Sequence, residues 1–421
     1  MNVRRLPSRN RGRGTNYSNS GGTIGSSPGI GQRLRQSMKA LQSLVLNKDS
    51  LFDEEMQLAE NRNRFVKGGV RTRSVNRKRS RKSTFGSSML GSSFSTRGSR
   101  LPSDILKDDF EFSALSESPS RLTDIVVDML MQTIVPTIDK QIDYHTTLLR
   151  ISVLDLVNKI QEEYGNTSYH NFCHAADVTQ LMFTLITKYF DERVAAHEPF
   201  FLLFICLCHD MGHPGASIEF LHENNLLTEY NSLEEYHIAR TESLIDTHPI
   251  FSHYMDHELK MELLELSRVL IEATNIKQHS RISQRLHSID FSGGKLREDH
   301  MILLIKLCDL ANVVRRFEDA KLWAAGLTIE TKAVEKLREK NVAQFCVNIK
   351  VVAEQLQHVQ DKVRQSFRFD LPENMGPFTI GFINDTVKPM ALLLNRLDEN
   401  AGDEFNTRLN ENINFWMRQE L

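Results

Sequence analysis

Two short stretches hold most of the residues capable of chemistry: Tyr169-His170-Asn171-Phe172-Cys173-His174 and His209-Asp210-Met211-Gly212-His213. Each sets two histidines four residues apart, a spacing that brings both imidazoles to one face of a helix, where their nitrogens converge on a point. A single pair of this kind arises often by chance on surface helices. Two pairs inside residues 169–213 are a stronger signal, and the second carries Asp210 directly after its first histidine, at the end of the apolar run 200–208. Imidazole and carboxylate there need a partner, because burying them unpaired is costly. A divalent cation satisfies both. A second apolar run, residues 301–308, ends the same way in Asp309-Leu310-Ala311-Asn312 and supplies a further carboxylate.

The elements that must bring these residues together read as helices. Ile125, Val126, Met129, Leu130 and Ile134 form one apolar stripe, ending near Pro136. Leu148, Leu149, Ile151, Leu154, Val157 and Ile160 form another, ending near Gly165. Helices are predicted at residues 178–189, 199–208, 233–246, 257–272, 299–314, 331–365 and 378–397. Period-two alternation and Asn-Gly hairpin signals are missing. The expectation is an all-α, compact multi-helix domain over residues 118–421, with ionic residues at helix ends facing a common centre.

Residues 1–117 have a different character. The chain carries a net charge of −2, but residues 1–100 hold 21 Lys+Arg against 5 Asp+Glu, and residues 101–421 hold 31 against 49. Residues 1–36 and 67–105 are rich in Arg, Gly and Ser with little to bury, so a disordered basic tail is expected. Residues 37–65 space Met38, Leu41, Leu44, Val45, Phe52 and Met56 as a short amphipathic helix, which suits a homodimer or membrane-surface contact as well as a transient helix. The cluster at residues 77–82 fits anionic surfaces, an import receptor or another regulatory partner. Ser80 and Ser83 lie close enough to basic residues to suit a basophilic kinase, and a phosphate would cancel part of that charge. Five cysteines, none in a C-x-x-C pair, read as buried thiols of a reducing compartment. No apolar run reaches the length of a membrane span, and no secretory signal is present, so a cytoplasmic location is expected, with nuclear entry through the basic tail as the variant reading.

Taken together, the motifs resemble the class I cyclic nucleotide phosphodiesterase catalytic domain, from about Ile142 onward. The resemblance rests on Tyr169-His170-Asn171 with His174-Ala175-Ala176-Asp177, His209-Asp210 with His213-Pro214-Gly215, Leu233-Glu234 with His237, Ala273-Thr274, the run 306–312 with Trp323 after it, and Gly381-Phe382. The wording around Asn171-Phe172 and residues 306–315 is closer to the type-9 branch than to the type-4 branch. The resemblance implies the HD-type metal site and metal-dependent hydrolysis of cAMP or cGMP to 5′-monophosphates. By it, His174, His209, Asp210 and Asp309 hold the tighter ion, zinc, while magnesium or manganese occupies a second site bridged by Asp210. His213, Glu234 and His237 lie behind the ligands, His170 protonates the leaving 3′-oxygen, and Glu234 fixes the His170 tautomer. Tyr169, Asn312, Leu327, Thr379 and Phe382 face the nucleotide, with Leu327 and Phe382 clamping the base.

The chain also departs from the family's pattern. Thr379 stands where a glutamine binds the purine, Asn275 where an Asp follows Ala-Thr, and Ile218 where an Asn or Gln is usual. The stretch before Glu234 is about three residues short, and the Glu-rich helix after Trp323 is barely recognisable in residues 324–340. Two alternatives stay open beside hydrolysis of cyclic nucleotides: a weakly active or inactive nucleotide-binding relative, and an HD-type phosphohydrolase acting on another phosphoester. Retention of His170 favours the first reading over a pure binding module, which needs no acid.

Overall fold

The computed structural model describes residues 110–339, 348–366 and 375–419. Expectations for the basic tail, including the 37–65 helix, Ser80 and Ser83, and for Cys346 lie outside these residues. In chain order the α-helices are α1 (Pro119–Thr133), α2 (Thr146–Glu163), α3 (Phe172–Leu185), α4 (Glu198–Cys208), α5 (Ile218–Glu223), α6 (Leu233–Thr247), α7 (Pro249–His253) and α8 (His257–Thr274). They continue as α9 (His279–His287), α10 (Glu298–Leu310), α11 (Phe317–Glu339), α12 (Ile349–Ser366), α13 (Met375–Phe382), α14 (Lys388–Leu397) and α15 (Glu399–Gln419). No strand occurs among the described residues, as the missing period-two pattern predicts.

Three helices are buried on nearly all sides and form the middle of the molecule. Residues 200–208 of α4 and 300–308 of α10 are all buried, and α3 is buried over nearly its whole length. Such helices belong in an interior rather than on a surface. α1, α8 and α14 pack around them. Capping fixes where many helices start. Ser118 accepts from Arg121 N with Pro119 at the first turn of α1, Ser232 accepts from Glu235 N on α6, and Asp256 accepts from Leu259 N on α8. At the other end of α8, the buried Lys306 of α10 donates from Nζ to Ala273 O (2.8 Å) and Thr274 O (3.4 Å), satisfying carbonyls that a helix terminus leaves open.

A separate small core lies beside the main one. Ala216, Ile218, Phe220 and Leu221 around α5 meet Ala333, Val334 and Leu337 of α11 and Val352 and Leu356 of α12.

Several expectations change. The helix predicted at 331–365 is two helices, α11 and α12, and α11 starts at Phe317, so Trp323 is already helical. α3 starts at Phe172 rather than 178, which puts His174 in its first turn. On α2 the inward stripe is Leu149, Val153, Leu156, Val157 and Ile160, whereas Leu148, Ile151 and Leu154 are exposed. α15 was not anticipated. The packed body also reaches back before residue 118. Phe110 is buried edge-on against Phe405 at 5.5 Å, Arg408 covers its ring, and Ser113 Oγ donates to Asp319 Oδ1 at 2.7 Å. Cys206, Cys208 and Cys308 are buried free thiols and Cys173 is a half-buried one. No helix among the described residues is long and apolar enough to cross a membrane.

Candidate active site

The ends of α3, α4 and α10 converge. His174 lies in the first turn of α3, His209 and Asp210 directly follow α4, and Asp309 lies in the last turn of α10. Asp309 Oδ1 is 3.3 Å from both His174 Nε2 and His209 Nε2, and Asp210 Oδ2 is 3.3 Å from His209 Nε2 and 3.7 Å from His174 Nε2. Both Nε2 atoms are buried, and neither has a hydrogen-bond partner. His209 Nδ1 lies 2.7 Å from Cys206 O, so Nδ1 carries the proton and donates, leaving the Nε2 lone pair free. Orphaned acceptors are rare inside proteins. Here two of them face two carboxylates, and that donor set fits a divalent cation. Burial lowers the His209 pKa, yet the charges of Asp210 and Asp309 raise it well above the usual value, so the two carboxylates favour positive charge at Nε2, either as a proton or as a cation in its place. Burial opposes ionisation of Asp210 and Asp309, but the imidazoles hold both carboxyls well below their ordinary range.

The two His-x-x-x-His pairs do not each point at one centre from one helix face, as the spacing predicted. Asn171 has extended backbone and caps α3 by accepting from Cys173 N and His174 N, which leaves His170 outside the helix. At the second pair α4 ends at Cys208 and the chain turns at Gly212, whose φ of +83° glycine adopts without steric cost. Each pair is therefore split. His174 and His209 go to the cation cluster, while His170 and His213 stack on one another next to it, with ring centroids 3.8 Å apart.

Glu330 of α11 organises this second pair. Its Oε1 accepts from Tyr169 N (2.7 Å) and His170 N (2.9 Å), and its Oε2 lies 2.6 Å from His170 Nδ1. Burial would lower the His170 pKa, but the Glu330 charge and hydrogen bond push it up to about 9. His213 goes the other way. It accepts from Gly215 N at Nδ1, and burial followed by the His170 charge drives its pKa well below the usual value, so it is neutral. The expectation that Glu234 fixes the His170 tautomer is corrected, because the Nδ1 partner is Glu330. The sequence does not single out Glu330, because the helix around it lacks the family's run of glutamates and its partner His170 lies 160 residues away. Glu234 stands in the first turn of α6, its carboxyl pushed up to about 7 by burial, with the Asp210 charge adding to the effect. His237 is buried behind Asp210, donating from Nδ1 to Met211 O (2.9 Å), with Nε2 3.6 Å from Asp210 Oδ1.

Tyr169 joins the cluster, its ring against His174 and Trp323 and its hydroxyl accepting from Asn312 Nδ2 at 2.7 Å. Thr379 and Phe382 lie one turn apart on α13, Thr379 buried and Phe382 half-buried against the main core, whereas Leu327 is on the partly exposed side of α11.

The family model described as 3′5′-cyclic nucleotide phosphodiesterase matches residues 169–406, a span that holds the whole cluster. The chain belongs to this phosphodiesterase family. Membership carries dependence on divalent metal, which the set His174, His209 and Asp309 fits. The 3′,5′-cyclic-nucleotide phosphodiesterase regA of Dictyostelium discoideum is 29% identical over 234 residues, covering 52% of this chain and 29% of that protein. The human high affinity cGMP-specific 3′,5′-cyclic phosphodiesterase 9A is 28% identical over 198 residues, covering 43% of this chain and 32% of its own length. The probable 3′,5′-cyclic-AMP phosphodiesterase pde-4 of Caenorhabditis elegans is 27% identical over 241 residues, covering 56% of this chain and 34% of that protein. The last two identities are too close to separate the type-9 from the type-4 branch. The chain thus spans about a third of the length of each of these relatives. The phosphodiesterase domain of the RhoPDE fusion protein from Salpingoeca rosetta shares the phosphodiesterase fold, with a TM-score of 0.58 at 21% identity over 74% of this chain and 94% of that one.

Proposed function

We propose that this phosphodiesterase hydrolyses 3′,5′-cyclic nucleotides to 5′-nucleoside monophosphates and so ends a cyclic nucleotide signal. The observation that carries the reading is the pairing of His170 with Glu330 at 2.6 Å beside two buried imidazoles, His174 and His209, and the half-buried carboxylates of Asp210 and Asp309. A binding module has no use for a protonated imidazole at that place.

His170 is the general acid. With Nδ1–H directed at Glu330, the remaining proton sits on Nε2, free to pass to the departing 3′-oxygen, and Glu330 stabilises the charged ring until it does. His213, neutral and stacked on that ring, fixes its tilt without competing for the proton. His174, His209, Asp210 and Asp309 would hold zinc, and Asp210 would share a second ion, magnesium or manganese, whose surrounding waters His213, Glu234 and His237 would order. When bound, such ions supply charge against the phosphate oxygens and a water of lowered pKa. Tyr169 and Asn312 line the nucleotide side, Leu327 and Phe382 clamp the base, and Thr379 faces its edge. Because Thr379 replaces a glutamine, the reading extends to cAMP and cGMP alike. Residues 1–105 serve location or control, through an anionic surface, a kinase, a regulatory partner or a second copy of the chain, in the cytoplasm or, by way of the basic cluster, the nucleus.

The test is turnover of cAMP and cGMP, offered separately to the purified protein with Mg²⁺ or Mn²⁺. Formation of 5′-monophosphate is expected. Release of phosphate from other nucleotides without cyclic nucleotide turnover would point to a different phosphohydrolase, and tight binding without product to a non-catalytic relative.

A further inference from the structure

We propose that Gln360, on α12, is the positioning residue that fixes the His170 and His213 loops relative to one another; the inference rests on His170 acting as the acid. Gln360 is fully buried. Its Oε1 accepts from Ser168 N (2.8 Å) and Ser168 Oγ (2.9 Å), and that hydroxyl in turn accepts from Arg364 on the next turn of α12 (2.9 Å). With Glu330 holding Tyr169 N and His170 N, three consecutive backbone N–H groups leading into the acid are gripped by side chains from two helices. The other end of the same carboxamide reaches the second loop. A Cβ on Gly215 would lie 2.9 Å from Gln360 Nε2 and 3.0 Å from Thr167 Cγ2, so Gln360, Thr167 and Gly215 fill one gap without slack. Gly215 N is the donor to His213 Nδ1.

One buried side chain therefore touches both loops whose histidines stack. Gln360 Nε2 is buried without a hydrogen-bond partner and meets Gly215 by packing, so the polar contact is the one to Ser168: an apolar residue of the same size would leave the Ser168 N–H unpaired, which costs more than the bond itself contributes. α12 reaches the site through Gln360 and Arg364, which bond Ser168. The cation cluster is built on α3, α4 and α10, whereas α12 packs on α11 and the small core. Loss of Gln360 should thus displace the acid while sparing the cluster.

Gln360→Met keeps the length and removes the acceptor, whereas Gln360→Glu keeps an oxygen facing Ser168 with Arg364 nearby to offset the charge. In the full-length protein, Gln360→Met should lower kcat by about 10- to 100-fold, the scale of a small misplacement of a catalytic group. KM should stay within about twofold, as expected when ground-state binding is untouched. Bound metal, measured by elemental analysis, should not change, and deuterium uptake in a peptide covering residues 165–172 should quicken. Gln360→Glu should restore most of kcat and slow the uptake again. Unchanged kcat in Gln360→Met, or loss of metal together with activity, overturns the proposal. If the wild type turns over neither cyclic nucleotide, the functional reading falls, and the exchange comparison alone decides whether Gln360 holds this loop.

Discussion

Glu330 Oε2 lies 2.6 Å from His170 Nδ1 while its other oxygen accepts the backbone N–H groups of Tyr169 and His170, so a single carboxylate sets both the charge and the placement of one imidazole. Burial works against the charged ring, and Glu330 outweighs it, raising the pKa to about 9. A raised histidine pKa contributes stability that is full below the unfolded value of about 6.5 and is lost as pH rises through the folded value. Glu330→Gln removes the charge and keeps the shape. In the metal-free protein, NMR titration of His170 should show its pKa falling toward or below 6.5, and in the metal-loaded protein kcat should drop about 100-fold. An unshifted titration would show that the pairing does not control the ring.

Asp309→Ala removes the carboxylate whose Oδ1 lies 3.3 Å from both orphaned Nε2 atoms. The variant should lose metal as well as activity, since an anionic ligand is removed rather than a positioning group. Added Zn²⁺ should raise the melting temperature of the wild type and leave the variant unmoved. Normal metal content in the variant would remove Asp309 from the site.

Gly326 lets α11 approach the acid loop. A Cβ there would lie 2.5 Å from Ser168 O, a backbone atom that cannot swing aside. Gly326→Ala gains about 1 kcal/mol of helix propensity. Overpacking typically costs about 1–3 kcal/mol. The expected net is destabilisation with reduced kcat, read by thermal unfolding and turnover. A more stable, fully active variant would mean the helix has room to spare.

Thr379 offers one hydroxyl where a glutamine amide both donates and accepts. Thr379→Gln should lower KM by about two- to tenfold, equivalent to one recovered hydrogen bond, with kcat nearly unchanged. A wild type that already binds one nucleotide tightly, weakened by the substitution, would mean the pocket is built around the hydroxyl.

The N-terminal boundary has its own test. A chain starting at residue 106 should match the full-length kcat, and one starting at 118 should melt lower, because it removes Phe110 from Phe405 and Arg408. Losing a buried Phe costs about 3 kcal/mol or more. Equal kcat for the full chain and residues 106–421 at low and high salt would exclude control of turnover by the tail.

The legible parts of this site were local ones. The ends of α4 and α10 announce themselves because a run of apolar residues stops at charge, and burial makes that combination informative. The helix caps and turns were not legible: whether His170 falls inside or outside α3 depends on the conformation of Asn171, and the spacing of histidines is the same either way. Glu330 and Gln360 were missed for a different reason. Each acts across more than 150 residues of chain, and nothing in the local pattern distinguishes a buried Glu or Gln from the many exposed ones on amphipathic helices. α15 is hidden by composition, since Ala401, Phe405, Leu409 and Trp416 are its inward residues and the asparagines and charges between them obscure the apolar stripe.

The separation of the two cores bears on how the molecule comes apart. His174, His209 and Asp309 rest on helices of the main core, but the loop of His170, the proposed acid, is held through α11 and α12, whose distal halves meet α5 in a small core of their own. Small cooperative units open at lower free energy than the whole. Fraying of the α11–α12 unit would leave a molecule that is folded and loaded with metal yet has no proton to deliver. The fraction of competent molecules is then governed by the weaker of two folding units, and heat or mild denaturant should abolish turnover before metal is released.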